Sequence, residues 1–198
     1  MRTQFSQQAP AQALVEFALA STLIFFLLAA AVDLGLIYFT LQGLRAAAQE
    51  GATFGSYPQV VMDGQRIRDV TINYAEVVNR IYGAAGDQGG GFADLHDLNG
   101  NDQDDLLVDR LHDRAATDPE AYISIENLRG FDPTNLQPAC RGDIPGQQLQ
   151  AGGRGCWIRV TVRYDYQFLF PLAPVFGETL RLQASHLTPM RSTLFTGM

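Results

Sequence analysis

The sequence predicts an α+β fold in which one long N-terminal transmembrane helix leads into a small antiparallel β-sheet domain with helices packed on it. Three patterns carry that expectation. Apolar residues crowd the chain before residue 45. Two segments near the C-terminus alternate apolar and polar residues as half-buried strands do. Between them, apolar residues recur at helical spacing from Ile67 to Ile81. A chain of 198 residues suits one domain plus an anchor. Its mean hydropathy of −0.03 averages two unlike parts.

Phe17 to Leu41 contains a single ionisable residue, Asp33. As a helix it would run roughly 37 Å at 1.5 Å per residue, more than a ~30 Å hydrocarbon core. Glu16 at its start and Asp33 deeper in are both costly in lipid unless paired, protonated or near the interface. A competing reading takes Phe17 to Leu28 as the apolar part of a secretory signal, with Ala29-Ala30-Ala31 at the cut and a soluble protein starting at Val32. Against it, only Arg2 is basic ahead of the apolar run, Glu16 is acidic, and Leu34, Leu36, Ile37, Tyr38, Phe39 and Leu41 continue the run past the cut. Arg2 and Arg45 balance across the segment, so the positive-inside count leaves its orientation to the cysteines discussed below.

The residues around Glu16 form a motif. Ala11-Gln12-Ala13-Leu14-Val15-Glu16-Phe17-Ala18-Leu19, then Asp33-Leu34-Gly35, then Leu44-Arg45-Ala46-Ala47-Ala48-Gln49-Glu50-Gly51-Ala52 closely resemble the TadE-like family, pseudopilins of the tight-adherence (Flp) pilus system. The resemblance implies a type IV pilin-like architecture. It also implies prepilin-peptidase cleavage on the cytoplasmic side between Ala11 and Gln12, with Glu16 fifth in the mature chain. Two positions depart from the family pattern: Ala11 stands where Gly is usual, and Leu36 stands where Arg usually follows the Gly. The implied organisation is a leader over 1–11, a transmembrane helix with an extracytoplasmic extension over 12–56, and an extracytoplasmic α+β domain over 57–198.

The motif also has a physical reading. A new amine at Gln12 would lie about one helical turn from Glu16 of its own chain or of a neighbouring one. Such a pair fixes register between helices in a low-dielectric layer; the alternative is a carboxylate that snorkels to the interface. Gly43, Ala47, Gly51 and Gly55 recur every four residues, with Gly35 two turns earlier. This small-residue stripe suits close packing against a sister subunit or against the chain's own domain, although Ala-rich helix propensity would produce much of it anyway.

Beyond Tyr57-Pro58, the spacing of Ile67, Val70, Tyr74, Val77, Val78 and Ile81 predicts one amphipathic helix ending at Gly83. The glycines between 83 and 91 lack the Lys-Ser/Thr ending of a phosphate-cradling loop. Asp97, Asn99, Asn101, Gln103 and Asp105 place oxygen groups at the alternate positions of a Ca²⁺ loop. The run resembles Asp-x-Asn-Gly-Asp-Gly loops of extracellular EF-hand-like repeats, but Asp102 replaces the usual Gly and Val108 the final Glu. The alternative is an acidic turn capping a helix over 105–115. Cys140 and Cys156, the two cysteines of the chain, read as a disulfide in a domain outside the cytoplasm, with two free thiols as the other reading. His96, His112 and His186 have no ligand spacing with them.

After Cys156, Ile158, Val160, Val162, Tyr164, Tyr166 and Phe168 alternate with polar residues as a long central strand. Leu180, Leu182 and Ala184 form a second strand, the two making a hairpin through Phe170-Pro171, and Ala121, Ile123 and Ile125 suggest a third. This hairpin also resembles the C-terminal end of TadE-like proteins.

Formal net charge is −7, and the 14 basic residues are all Arg without a run that would track a phosphate backbone. Nucleic acid is therefore not an expected partner. No Ser-His-Asp set or Cys-His pair suggests an enzyme. The resemblance implies a structural subunit of a pilus or secretion filament in a bacterial membrane. Its partners would be other pilins or pseudopilins, further copies of itself and the assembly platform. A secreted or anchored Ca²⁺-stabilised binding module is the alternative.

Overall fold

The structure, a computed structural model, describes residues 9–84, 95, 98, 122–138, 140, 155–170 and 179–191. Helix α1 (Ala9–Gly55) runs unbroken for about 70 Å. Pro10 lies in its first turn, and the next proline, Pro58, lies beyond its end, so nothing interrupts the backbone ladder. Ser56 closes the helix: its N–H donates to the Ala52 carbonyl at 2.9 Å and its hydroxyl to the Thr53 carbonyl at 2.7 Å.

Strands β1 (Gln59–Asp63) and β2 (Arg66–Thr71) follow as an antiparallel hairpin. This corrects the predicted single helix, because Ile67 and Val70 belong to β2. Asp63 pairs with Arg66, so the turn is the two-residue Gly64-Gln65, and Gly64 at its first position takes the left-handed φ of 63° that lets the chain reverse. Pairing Val60 with Val70 and Met62 with Ile67 then outweighs a periodicity that only resembles a helix. The helical part of that segment is α2 (Tyr74–Ala84). Asn73 caps it, its side-chain carbonyl accepting from the Glu76 N–H at 3.1 Å. Its buried face is Val77, Val78, Ile81 and Tyr82.

Strands β3 (Ile123–Arg129), β4 (Gln137–Pro138), β5 (Cys156–Gln167) and β6 (Thr179–Pro189) form a second sheet in the order β4-β3-β5-β6, antiparallel throughout. The expected α+β class holds, and β5 is central as its alternation implies. The hairpin register pairs Trp157 with Pro189 at one end and Gln167 with Thr179 at the other. Ala121 and the predicted helix over 105–115 lie outside the described residues.

The C-terminal half of α1 lies on the inner face of this sheet. Leu44, Ala47, Ala48 and Ala52 share one core with Val77 and Ile81 of α2, Ile123 and Ile125 of β3, and Ile158, Val160 and Val162 of β5. β5 runs antiparallel to α1. Gly51 faces Val160, and Asp33 meets Leu169. The eighteen helical residues between Gly51 and Asp33 rise about 27 Å, and the nine extended residues between Val160 and Leu169 about 30 Å. The strand is therefore long enough to cover the helix from Gly51 down to Asp33.

Close approach depends on the small residues. A Cβ on Gly51 would stand 2.6 Å from Ile81 Cγ1, and one on Gly55 would collide with Ile158. Nothing lies within 4 Å of the corresponding point at Gly43. Gly51→Leu is expected to lose about 1–3 kcal/mol through overpacking. Gly43→Ala should be neutral or gain up to about 1 kcal/mol in helix propensity. Denaturant unfolding of the two variants in detergent checks the contrast.

Candidate assembly and membrane surface

The two halves of α1 have opposite surroundings. No residue from 12 to 32 is buried. Leu14, Val15, Phe17, Leu23 and Leu27 are each more than half exposed, and at about 100° per residue they point to all sides of the helix. From Leu14 to Val32 the bare stretch is about 28 Å long, close to a ~30 Å hydrocarbon core. The helix from Gln12 to Gly55 that contains it is, by length and composition, long and apolar enough to cross a membrane. The predicted span, Phe17 to Leu41, is shifted by this packing. Leu36, Ile37 and Leu41 lie partly buried against the domain core, so their apolar character serves the fold.

Asp33 marks the boundary. It is buried, and its Oδ1 accepts from the Tyr166 hydroxyl at 3.2 Å and from the Leu169 backbone N–H at 3.0 Å. A carboxyl group in an apolar helix thus finds its partners on the sheet of its own chain. Burial pushes the Tyr166 phenol up to about 12, with the neighbouring Asp33 charge acting in the same direction. The phenol stays a donor across the physiological range.

At the other end of the bare stretch, the Gln12 side-chain amide donates to Glu16 Oε1 at 3.1 Å. Both side chains are exposed, one turn apart. Ala11 lies on the helix, and its side chain is outside the described set. Of the small-residue positions, Ala47, Gly51 and Gly55 are buried within the chain. Gly43 is half-buried, Gly35 is exposed, and nothing stands within 4 Å of a Cβ at either. Leu34, Tyr38 and Phe39 are exposed on the face of α1 away from the sheet.

Cys140 and Cys156 form a disulfide, Cα to Cα 5.6 Å, and both are buried. It ties the chain after β4 to the first residue of β5. In the chain-entropy model a loop of this size contributes about 3 kcal/mol. Asp97, Asn99, Asn101, Gln103 and Asp105 lie outside the described residues. Among the described residues no group of three or more His, Cys, Asp or Glu side chains is arranged to hold a metal.

Sequence reasoning missed a polar cluster on the outer face of the sheet. Tyr122 donates to Asp165 Oδ2 at 2.5 Å, and Arg181 grips the same carboxylate through Nε at 2.8 Å and a terminal nitrogen at 3.1 Å. The Arg181 guanidinium also lies 5.4 Å from the Tyr122 ring centroid. The hydrogen bond from Arg181, ahead of that from Tyr122, holds the Asp165 carboxyl below its ordinary range. Burial and the Asp165 hydrogen bond push the Tyr122 phenol up to about 12. Alternation of Asp165 with the core positions of β5 marked its outward face; the pairing with Arg181 requires the β5–β6 register.

Residues 11–53 match the family model described as TadE-like protein. The matched segment begins at the motif around Glu16 and ends inside the helix that seats the sheet. No curated protein and no solved structure matches the chain.

Removing the Asp33 acceptor leaves two donors without partners, so Asp33→Ala is expected to cost about 1–3 kcal/mol for each. Tyr166→Phe, which keeps the Leu169 bond, should cost about 1 kcal/mol. Unfolding midpoints in detergent test this ranking. The outer cluster predicts a pH profile. As pH rises above about 10, unfolded tyrosines ionise first while Tyr122 and Tyr166 hold their protons to about 12, so stability falls over that window. As pH falls below the ordinary carboxylate range near 4, unfolded chains take up the proton before the native Asp165 does, and stability falls again. Urea midpoints against pH should show both slopes, with Tyr122→Phe reducing the alkaline one and Arg181→Gln the acid one.

Proposed function

We propose that this chain is a membrane-anchored, pseudopilin-like structural subunit that takes part in assembling a Tad/Flp-type pilus or a related secretion filament. The observation that carries the reading is the coincidence of the TadE-like match over 11–53 with a helix that has no buried residue from 12 to 32. Burying a large apolar side chain is worth about 1.5–3 kcal/mol, and α1 presents many of them bare on every side. Lipid or other apolar helices would supply the missing surroundings.

Glu16 is the natural assembly residue on this reading. In hydrocarbon an unpaired carboxylate is expensive, and the Gln12 amide one turn away already engages it. Cleavage between Ala11 and Gln12 would put an α-amine on that same turn, available to Glu16 of the same chain or of a neighbour. Such a charged pair between helices specifies register. The disulfide supports an extracytoplasmic domain, which would leave the N-terminus cytoplasmic. Other pilin or pseudopilin subunits and the assembly platform would be the partners.

Intact mass and N-terminal sequencing of the protein from native membranes test the processing step, with Gln12 as the expected first residue. A chain beginning at Val32 would sink the pilin reading. An intact Met1 would leave an anchor that does not enter a fibre by the usual route. Glu16→Ala should leave the unfolding midpoint of the domain unchanged, since Glu16 lies about 26 Å of helix away from Asp33. Its crosslinking to neighbouring subunits in membranes should fall.

A further inference from the structure

The bond between the Leu169 N–H and Asp33 sets the height of one end of the sheet relative to α1. If α1 spans the bilayer, a bare stretch of about 28 Å fills the core and leaves Asp33 at its edge. Leu169, held 3.0 Å away, stands at that same level. Leu169 is 63% exposed. Phe168 just before it is half-buried and meets the Tyr166 ring edge-on at 5.7 Å, so the turn is fixed against the core while Leu169 faces out.

Neighbouring surface has the same character. Leu180, opposite Tyr166 in the β5–β6 register, is 37% exposed. Phe168, Leu169 and Phe170, the described residues that leave β5, are all apolar, and none of them is buried. Exposed Tyr38 and Phe39 on α1 lie about 8–9 Å past Asp33, within reach of the headgroup layer where aromatic rings collect. Leu169, Leu180, Tyr38 and Phe39 are thus exposed apolar or aromatic residues near the level where the bare helix ends.

We propose that Leu169 and the end of the sheet around it dip into the lipid interface beside α1, giving the domain a second membrane contact. This rests on the reading of α1 as a membrane span. The occupant is the bilayer, because Asp33 holds the exposed leucine at the bilayer's edge. Two membrane contacts would set the tilt of the domain as well as its height.

The test uses the full chain in phosphatidylcholine vesicles whose acyl chains carry bromine at a shallow or a deep position. Tryptophan is placed at Leu169, at Leu23 in the middle of the bare helix, and at Phe131, which is 91% exposed near the opposite end of the sheet. The native Trp157 is also at that far end, so its emission is a common background. Leu169→Trp should emit to the blue of Phe131→Trp and lose emission to the shallow bromines more than to the deep ones. Leu23→Trp should lose more to the deep ones. If Leu23→Trp is quenched while Leu169→Trp behaves like Phe131→Trp, the second contact is overturned and the membrane span stands. A blue-shifted but unquenched Leu169→Trp means that protein covers the residue, which also overturns it. If Leu23→Trp escapes quenching, the membrane span itself fails and the inference fails with it.

Discussion

A single helix has to satisfy two different surroundings, and the hydrogen bonds at Asp33 mark where one gives way to the other. Before Asp33, no residue of α1 from 12 to 32 is buried; after it, one face packs on the sheet. The carboxyl group accepts from Tyr166, the penultimate residue of β5, and from Leu169, two residues past its end. Since β5 is the central strand, fixing its lower end fixes the sheet. A buried acceptor with two donors resists sliding of the helix along the strand, because any shift leaves polar groups without partners.

Apolar packing works alongside that polar stop. Gly51 and Gly55 let Ile81, Val160 and Ile158 approach the helix backbone. A helix rises about 1.5 Å per residue and a strand about 3.3 Å, so the twelve residues of β5 suffice to cover the packed half of α1. The disulfide anchors the other end of β5. There the Arg191 N–H donates to the Ser56 carbonyl at 2.9 Å, joining the end of the sheet to the end of the helix. The β5–β6 hairpin is therefore tied to α1 at both ends, through Asp33 at one and through Ser56 and Arg191 at the other.

That arrangement gives the proposed subunit a division of labour. The bare half of α1, with Gln12 and Glu16 at its tip, is available to lipid and to neighbouring helices. The covered half is part of the domain core and moves with it. A force applied along the helix would reach the domain through an extended packed contact instead of a flexible linker.

Regular patterns were legible in the sequence. Alternation in β5 and β6, the apolar run of α1 and the pairing expected of Cys140 and Cys156 each depend on neighbouring residues or on the identity of a side chain. The β1–β2 hairpin was not, because Ile67 and Val70 happen to continue the helical spacing of α2, while the turn that decides the matter is the short Gly64-Gln65 step. The sequence by itself determined that a long apolar helix precedes an antiparallel sheet, and it marked Asp33 as a costly residue in that helix. Only the tertiary structure decided that Asp33 is satisfied by Tyr166 and Leu169, and that Leu36, Ile37 and Leu41 turn toward protein. The physical reason is that hydrophobicity records how strongly a residue avoids water, and lipid and a protein core satisfy that avoidance equally well. Which of the two surrounds a given leucine is fixed by residues more than a hundred positions away.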